Sequence, residues 1–265
     1  MITIDQVASF LDKFAPSRLA ESWDNVGLLL GDRQNRAGRI MTCLTITDSS
    51  ADEAIAEKAD LIVAHHPLPF AALKKLTTDS QDGRLLWNLA GARISIYSPH
   101  TAFDSAADGI NQRLATGLGL VDIAPLIPQP ESSETLQFGT GRSGRFEKPE
   151  PLAAVADRVK RFLQLERVQL VGDPATRVNK VAIACGSGAE LMADAIRQGC
   201  DCFLTGEARF HAALAAEAAG VSMILAGHYA TERFGVEHLA EILAGEFPAA
   251  HVWASQNERD PLGWV

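Results

Sequence analysis

Five short stretches place imidazoles and carboxylates where apolar runs end: "TITD" (45–48), "AHHP" (64–67), "PHTAFD" (99–104), "TGEARFH" (205–211) and "AGHYATE" (226–232). Of the seven histidines in the 265-residue chain, His65, His66, His100, His211 and His228 fall in these stretches, and only His238 and His251 lie elsewhere. Neutral imidazole together with carboxylate is the ligand set of zinc, manganese, iron and related divalent ions. Two of the stretches share the pattern H-x-x-x-D/E, His100 with Asp104 and His228 with Glu232. Consecutive strand side chains point to opposite faces, but the backbone can turn where a strand ends, so His65 and His66 could reach two neighbouring ions. On this reading His65, His66 and His228 are metal ligands, with Asp104 and Glu232 as the anionic ones, one from each half of the chain. Both acids also open helix-like stretches, where a carboxylate favours the N-terminal dipole with no metal involved. His100 is either a ligand or a group that orients ligands or touches substrate. Glu207 and His211 either support the ligands or move protons.

Other chemistries fit less well. No serine sits in a G-x-S-x-G elbow, which argues against a Ser/His/Asp hydrolase. "CGSGAE" (185–190) resembles a glycine loop opening a helix, which either cradles an anion or makes a tight strand-to-helix turn. Trp23, Asp24 and Asn25 precede an apolar strand and either line a pocket or stabilise a turn. Cys43, Cys185, Cys200 and Cys202 read as buried reduced thiols, three of them in apolar strand-like runs.

The elements that must position these residues alternate. Thr3 and Gln6 have capping-box spacing, followed by Val7, Phe10, Leu11 and Phe14 at helical period. Strand, helix and strand follow at 39–47, 49–59 and 61–66, then a helix at 83–92, a strand at 93–100 and a helix at 107–117. This order calls for a mostly parallel sheet covered on both faces, an α/β fold. Residues 124–150 are rich in Pro and Gly without period and read as a crossover or domain boundary. Alternation then resumes, with helices at 151–164, 188–198 and 208–219 and strands at 167–171, 179–185, 201–205 and 221–226.

The second run resembles the first. A slide of 141 positions lays residues 180–207 over 39–66 and matches Asp201 to Asp60. A slide of 128 lays "LAGHYATE" (225–232) over "YSPHTAFD" (97–104), so His228 meets His100 and Glu232 meets Asp104. Two pseudo-repeated lobes are expected, 1–124 with 221–265 carrying most of the ligands, and 125–220.

The formal net charge of −9, with no Lys/Arg stripe, argues against nucleic-acid binding, whose affinity comes largely from phosphate neutralisation. The N-terminus lacks a basic segment followed by an apolar run, and no stretch reaches the ~18 apolar residues of a membrane helix. A cytoplasmic protein is expected.

Six segments, "ESWDNVGLLLGD", "ADLIVAHHPLPF", "ISIYSPHTAFD", "VAIACGSGAELM", "DCFLTGEARFHAALAAEAAG" and "LAGHYATER", spread across nearly the whole chain. In this order they resemble the NGG1-interacting-factor-three-like family, also called GTP cyclohydrolase 1 type 2 homologues and dinuclear metal-centre hexameric proteins. The resemblance implies two similar, interlinked α/β/α lobes, a homohexameric ring and two divalent ions per chain, zinc, iron or manganese, on His65, His66, Asp104, His228 and Glu232. Two departures stand out: this chain has "TGE" where relatives often have T-G-D, and its middle segment is too short for the domain some relatives insert there. The expected activity is metal-dependent hydrolysis of a C–N bond in a small molecule, with Glu207, His211 or His100 shuttling protons. The rival expectation is a non-catalytic metal-binding ring that acts as scaffold, metal carrier or interaction partner.

Overall fold

A computed structural model describes residues 1–130, 132 and 137–263. In chain order the elements are α1 (Ile4–Phe14), β1 (Gly27–Leu30), β2 (Arg39–Cys43), α2 (Asp48–Ala56), β3 (Leu61–Ala64), α3 (Gln81–Gly91), β4 (Ser95–Ser98) and α4 (His100–Ser105). Then come α5 (Ile110–Gly117), β5 (Val121–Ala124), β6 (Ile127–Pro128), β7 (Gly139–Thr140), β8 (Arg142–Pro151), α6 (Leu152–Leu163), β9 (Gln169–Val171) and β10 (Arg177–Ala184). The chain closes with α7 (Met192–Arg197), β11 (Cys202–Thr205), α8 (Phe210–Ala218), β12 (Ser222–Leu225), α9 (His228–Glu246) and β13 (His251–Ala254). The capping box at Thr3 is formed, with the Thr3 side chain accepting from the Gln6 backbone and the Gln6 side chain accepting from the Thr3 backbone.

The chain forms two compact units, Met1–Phe103 with Gly235–Val265, and Asp104–Phe234. In the first, a five-stranded sheet runs β1-β4-β3-β2-β13, parallel except for β1. Strand alternation sends Met41, Cys43, Ile62, Ala64 and Ile96 to one face, where Ala51 and Ala54 of α2 and Leu85, Leu86 and Leu89 of α3 cover them. In the second, a six-stranded mixed sheet runs β5-β8-β10-β11-β12-β9, with β10, β11 and β12 parallel. Val181 and Ile183 face α5 and α6, while Ala182 and Ala184 face Met192 and Ala195 of α7 and Ala216 of α8. This sheet is therefore buried on both faces, as parallel strands require.

The repeat seen in the sequence recurs in each unit. The Asp60 carboxylate accepts from the backbone N–H of Gly38 and Arg39 at 2.7 and 2.9 Å, and Asp201 accepts from Asn179 and Lys180 at 2.8 Å each. The backbone N–H of Asp60 donates to Arg39 and that of Asp201 donates to Lys180, both at 2.8 Å. One aspartate thus clamps the start of the preceding parallel strand in both units.

Two features differ from the sequence reading. Most of the ten-residue strand β8, hydrogen-bonded to β5 and β10, falls in the segment 124–150, where the sequence pointed to a crossover or boundary. The units also exchange chain elsewhere than at the bounds drawn above, because β5 and β12 hydrogen-bond into the second sheet and take 104–124 and 221–234 with them.

The C-terminal segment is tied to the first sheet by two buried glutamates. Glu53 accepts from Trp253 Nε1, Ser255 Oγ and the N–H groups of Gln256 and Asn257 at 2.6–3.1 Å, and Glu258 accepts from the N–H of Leu44 and Thr45 at 2.8 and 2.6 Å. Burial alone would raise the Glu53 pKa, but these donors outweigh it and hold it below its ordinary 4.5. A depressed folded-state pKa stabilises the fold above the unfolded value and loses that contribution as pH falls through the lowered one. Glu53→Ala is therefore expected to lower unfolding free energy by about 1–3 kcal/mol at neutral pH. The gap to wild type should narrow in urea melts taken below the ordinary glutamate pKa; a gap that is unchanged in acid would contradict the ionised state.

Candidate metal centre

The first group of candidate ligands lies in the first unit, at the carboxyl ends of β3 and β4, where ligands collect in open α/β sheets. Beyond Ala64 the chain keeps strand-like bonding, with the N–H of His65 donating to Cys43 at 2.9 Å and that of His66 to Leu44 at 2.8 Å, until Pro67 ends it. Ser98 Oγ donates to the His65 carbonyl at 2.7 Å and locks the two strand ends together. The chain then turns from β4 into α4 through His100, whose φ of 25° is left-handed backbone that a side chain rarely adopts. Such a conformation persists only where its surroundings hold it, and here they do. Asp24 Oδ1 accepts from His100 Nδ1 at 2.7 Å, and its other oxygen accepts from the N–H and hydroxyl of Thr101.

These contacts gather three imidazoles. Ring centroids lie 5.2 Å apart for His65 and His66, 5.2 Å for His65 and His100, and 5.6 Å for His66 and His100. Each offers one ring nitrogen within 4.8 Å of the others, a set that can hold a metal ion. His66 Nδ1 is hydrogen-bonded to Thr45 Oγ1 at 2.7 Å, so Nε2 is the nitrogen it can present. His100 is fixed the same way by Asp24, and a histidine oriented by a carboxylate through its second nitrogen is the usual arrangement around metals. Burial works to raise the Asp24 pKa, yet the His100 and Thr101 hydrogen bonds bring it down to about 2, so the carboxylate is ionised throughout the physiological range.

The second group lies in the second unit. His228 opens α9 and Glu232 lies one turn on, with Nε2 and Oε2 at 3.1 Å. Glu207 Oε1 accepts from His228 Nδ1 at 3.0 Å. Hydrogen bonding to Glu232 is the main cause that raises the His228 pKa to about 9 against the opposing effect of burial, with Glu207 adding to it. An imidazole kept cationic between two carboxylates marks a place whose field favours positive charge, which a divalent ion can supply in the proton's stead. Asp104 is fixed by a closed set of bonds. Cys185 Sγ donates to its Oδ1 at 3.2 Å, Asn111 Nδ2 donates to its carbonyl at 3.2 Å, and Asn111 Oδ1 accepts from the Cys185 N–H at 2.8 Å. Burial, reinforced by the charges of Asp104 and Glu232, pushes the Cys185 thiol well above its ordinary pKa and keeps it a donor.

The donor set fits divalent metal: three imidazoles in one group, two of them oriented through their second nitrogens, and an imidazole with two buried or bonded carboxylates in the other. The structure thus brings His65, His66 and His100 together, and likewise His228, Glu232 and Glu207. His211 is in neither set, and is exposed on α8 with a ring contact to Phe210. The glycine turn 186–188 is not an anion cradle, because a Cβ on Gly186 would lie 2.1 Å from Glu232 Oε1 and any bound anion would face that carboxylate. Asp48, also at a strand exit, is exposed and paired with Arg84 at 3.1 Å. Sequence reasoning missed Thr45, Asn111 and the bond that Cys185 makes. Of these only Cys185 carried a signal, as the last residue before the glycine turn.

The family model described as Duf34/NIF3 (NGG1p interacting factor 3) matches residues 2–261. The chain is 31% identical over 267 residues to a "GTP cyclohydrolase 1 type 2 homolog" of Clostridium acetobutylicum, covering 98% of each. It is 35% identical over 258 residues to "Protein NIF3 homolog" of Schizosaccharomyces pombe, covering 92% of each. A crystal structure of Staphylococcus aureus protein SA1388 superposes with a TM-score of 0.89 at 27% identity, covering 100% of this chain and 99% of that one. With the motifs, the fold and a match across nearly its whole length in agreement, this chain belongs to the Duf34/NIF3 family.

Proposed function

We propose that this chain is a metal-dependent hydrolase with a dinuclear centre, held by His65, His66, Asp104, His228 and Glu232 and repeated around a homohexamer. The observation that carries the reading is the convergence of three imidazoles at the strand ends, with His66 and His100 oriented through their second nitrogens. When bound, two divalent ions supply Lewis acidity toward a substrate oxygen and acidify a water. The chain's own residues do the rest. Glu207 keeps the proton of His228 on Nδ1, which leaves Nε2 to the ion. Asp24 does the same for His100, which places that ring as a ligand or as a contact to substrate. His211, exposed and outside both groups, is the acid/base candidate least constrained by ligand duty. Hydrolytic C–N cleavage follows from the name of the Clostridium relative and rests on that likeness.

Elemental analysis of gently purified protein is expected to give about two divalent ions per chain, with content falling in His65→Ala and Glu232→Ala. Loss of GTP-hydrolysing turnover in His211→Ala with metal retained would support the enzyme, and unchanged turnover would leave His211 without a role. A metal-loaded protein that turns over neither GTP nor other nucleotides would favour the ring as scaffold or metal carrier. Failure to bind zinc, manganese or iron on reconstitution would sink the metal centre itself.

A further inference from the structure

We infer that Trp23 and Phe70 form a stacking wall for a planar aromatic ring of the substrate, beside the imidazole cluster. The inference deepens the proposed hydrolase and rests on it for the substrate's purpose, though not for the wall itself. Both side chains are large and apolar, yet Trp23 is 60% exposed and Phe70 56%. They stand together, with ring centroids 5.9 Å apart and planes tilted by 36°. Each meets His100 edge-on, Trp23 at 6.0 Å and 75°, Phe70 at 6.1 Å and 72°. Since His100 packs against His65 and His66, one unbroken run of rings leads from solvent to the candidate metal ligands.

The wall is held in place on both sides. Asn25 Nδ2 donates to the Pro69 carbonyl at 2.8 Å, joining the segment of Trp23 to the residue before Phe70. Between them in sequence, Asp24 is bonded to His100 and Thr101, and its Oδ1 also accepts from the Asn25 N–H at 2.7 Å. The carboxylate that orients His100 therefore also fixes the backbone that presents Trp23. Scattered exposed apolar residues need no explanation, but a tied pair of aromatic rings packed against an imidazole cluster does.

The ligand class follows from the surface. A π-face with few hydrogen-bonding groups selects for planarity over identity, and every nucleobase-sized heterocycle offers a matching face. A ring stacked here would bring its polar edge toward His100 and the cluster. The wall accounts for how a substrate ring is held and leaves the choice among heterocycles to other residues.

The test is calorimetric titration of guanosine, adenosine and ribose into the full-length protein, alongside Trp23→Ala, Phe70→Ala and Trp23→Phe. Metal content and sedimentation are measured on every sample. Both nucleosides should bind, ribose more than about tenfold more weakly, and each alanine variant should weaken the nucleosides by about tenfold with metal content unchanged. Trp23→Phe should keep most of the affinity. Phe70→Ala, in an exposed loop, stands in if Trp23→Ala fails to fold. Absence of nucleoside binding, equal binding of ribose, or alanine variants that bind as wild type does would overturn the wall. So would an assembly that dissociates in Trp23→Ala with nucleoside affinity intact, which would make these rings an interface between copies. Wild-type protein without metal would sink the hydrolase, while the same titrations would still decide the wall.

Discussion

Arg142→Ala is expected to destabilise the protein by about 3–5 kcal/mol, a large share of the roughly 5–15 kcal/mol that holds a typical domain folded. Arg142 opens β8, is fully buried, and among the described residues has no carboxylate partner. Its Nε donates to Gln112 Oε1 at 2.8 Å, Nη1 to the carbonyls of Gly139 and Gly141 at 2.7 Å each, and Nη2 to the carbonyls of Ala106 and Gln137 at 2.7 and 3.1 Å. Burial pulls the guanidinium down to about 10, still far enough above neutrality that it is charged in the fold. Neutral carbonyl dipoles, all directed at one cation, offset the loss of hydration. Removing the side chain leaves four backbone carbonyls and an amide oxygen without that donor, and a buried acceptor left unmade is costly. Arg142→Met should fare little better, since it fills volume without donating, while Arg142→Lys should recover part of the loss through its three N–H groups. Urea unfolding of the three variants checks the order; a methionine variant within 1 kcal/mol of wild type, which is the size of one ordinary hydrogen bond, would show that the carbonyls find other partners. The consequence reaches the site, because Ala106 follows α4 and Gln112 lies in α5, so Arg142 clamps the chain on either side of the Asn111 that holds Asp104.

What could be seen in the sequence was set by residue type and local period. Strands β2, β3, β10 and β11 show as apolar runs, their exits as His and acid, and the repeat as Asp60 and Asp201, since each depends on residues close in the chain. What could not be seen depends on partners far apart. The strand β8, "RSGRFEKPEP", has glycine, proline and five charges, and is a strand only because β5 and β10 bond to it. The compact units have other bounds than those read from the sequence because nothing local tells which sheet β12 will join. Asp24 and His100 are 76 residues apart, and Cys185 and Asp104 81 apart, so the groups that orient the candidate ligands were hidden even where the ligands were plain.

Gly186→Ala is expected to lower metal content sharply while leaving the fold in place. The residue sits at φ +59°, where an L side chain costs about 1–2 kcal/mol in the backbone alone. That much should lower the melting temperature modestly without unfolding the chain. The larger effect is steric, since the new Cβ would lie 2.1 Å from Glu232 Oε1 and 3.2 Å from His228 Nε2. Neither neighbour can yield easily. Glu232 is buried one turn into α9, and the Gly186 N–H is itself bonded to Thr231 Oγ1 at 3.0 Å, so the turn cannot retreat without breaking that bond. The carboxylate must therefore rotate away from the position it shares with His228, and the two ligands of α9 no longer present one oxygen and one nitrogen side by side. A serine at this position would press on the same oxygen, whereas Thr231→Ala removes only the anchor and should have a milder effect. Elemental analysis and thermal melts of the two variants decide the matter: metal retained in Gly186→Ala at wild-type stoichiometry would mean that Glu232 is not a ligand, however well the protein folds.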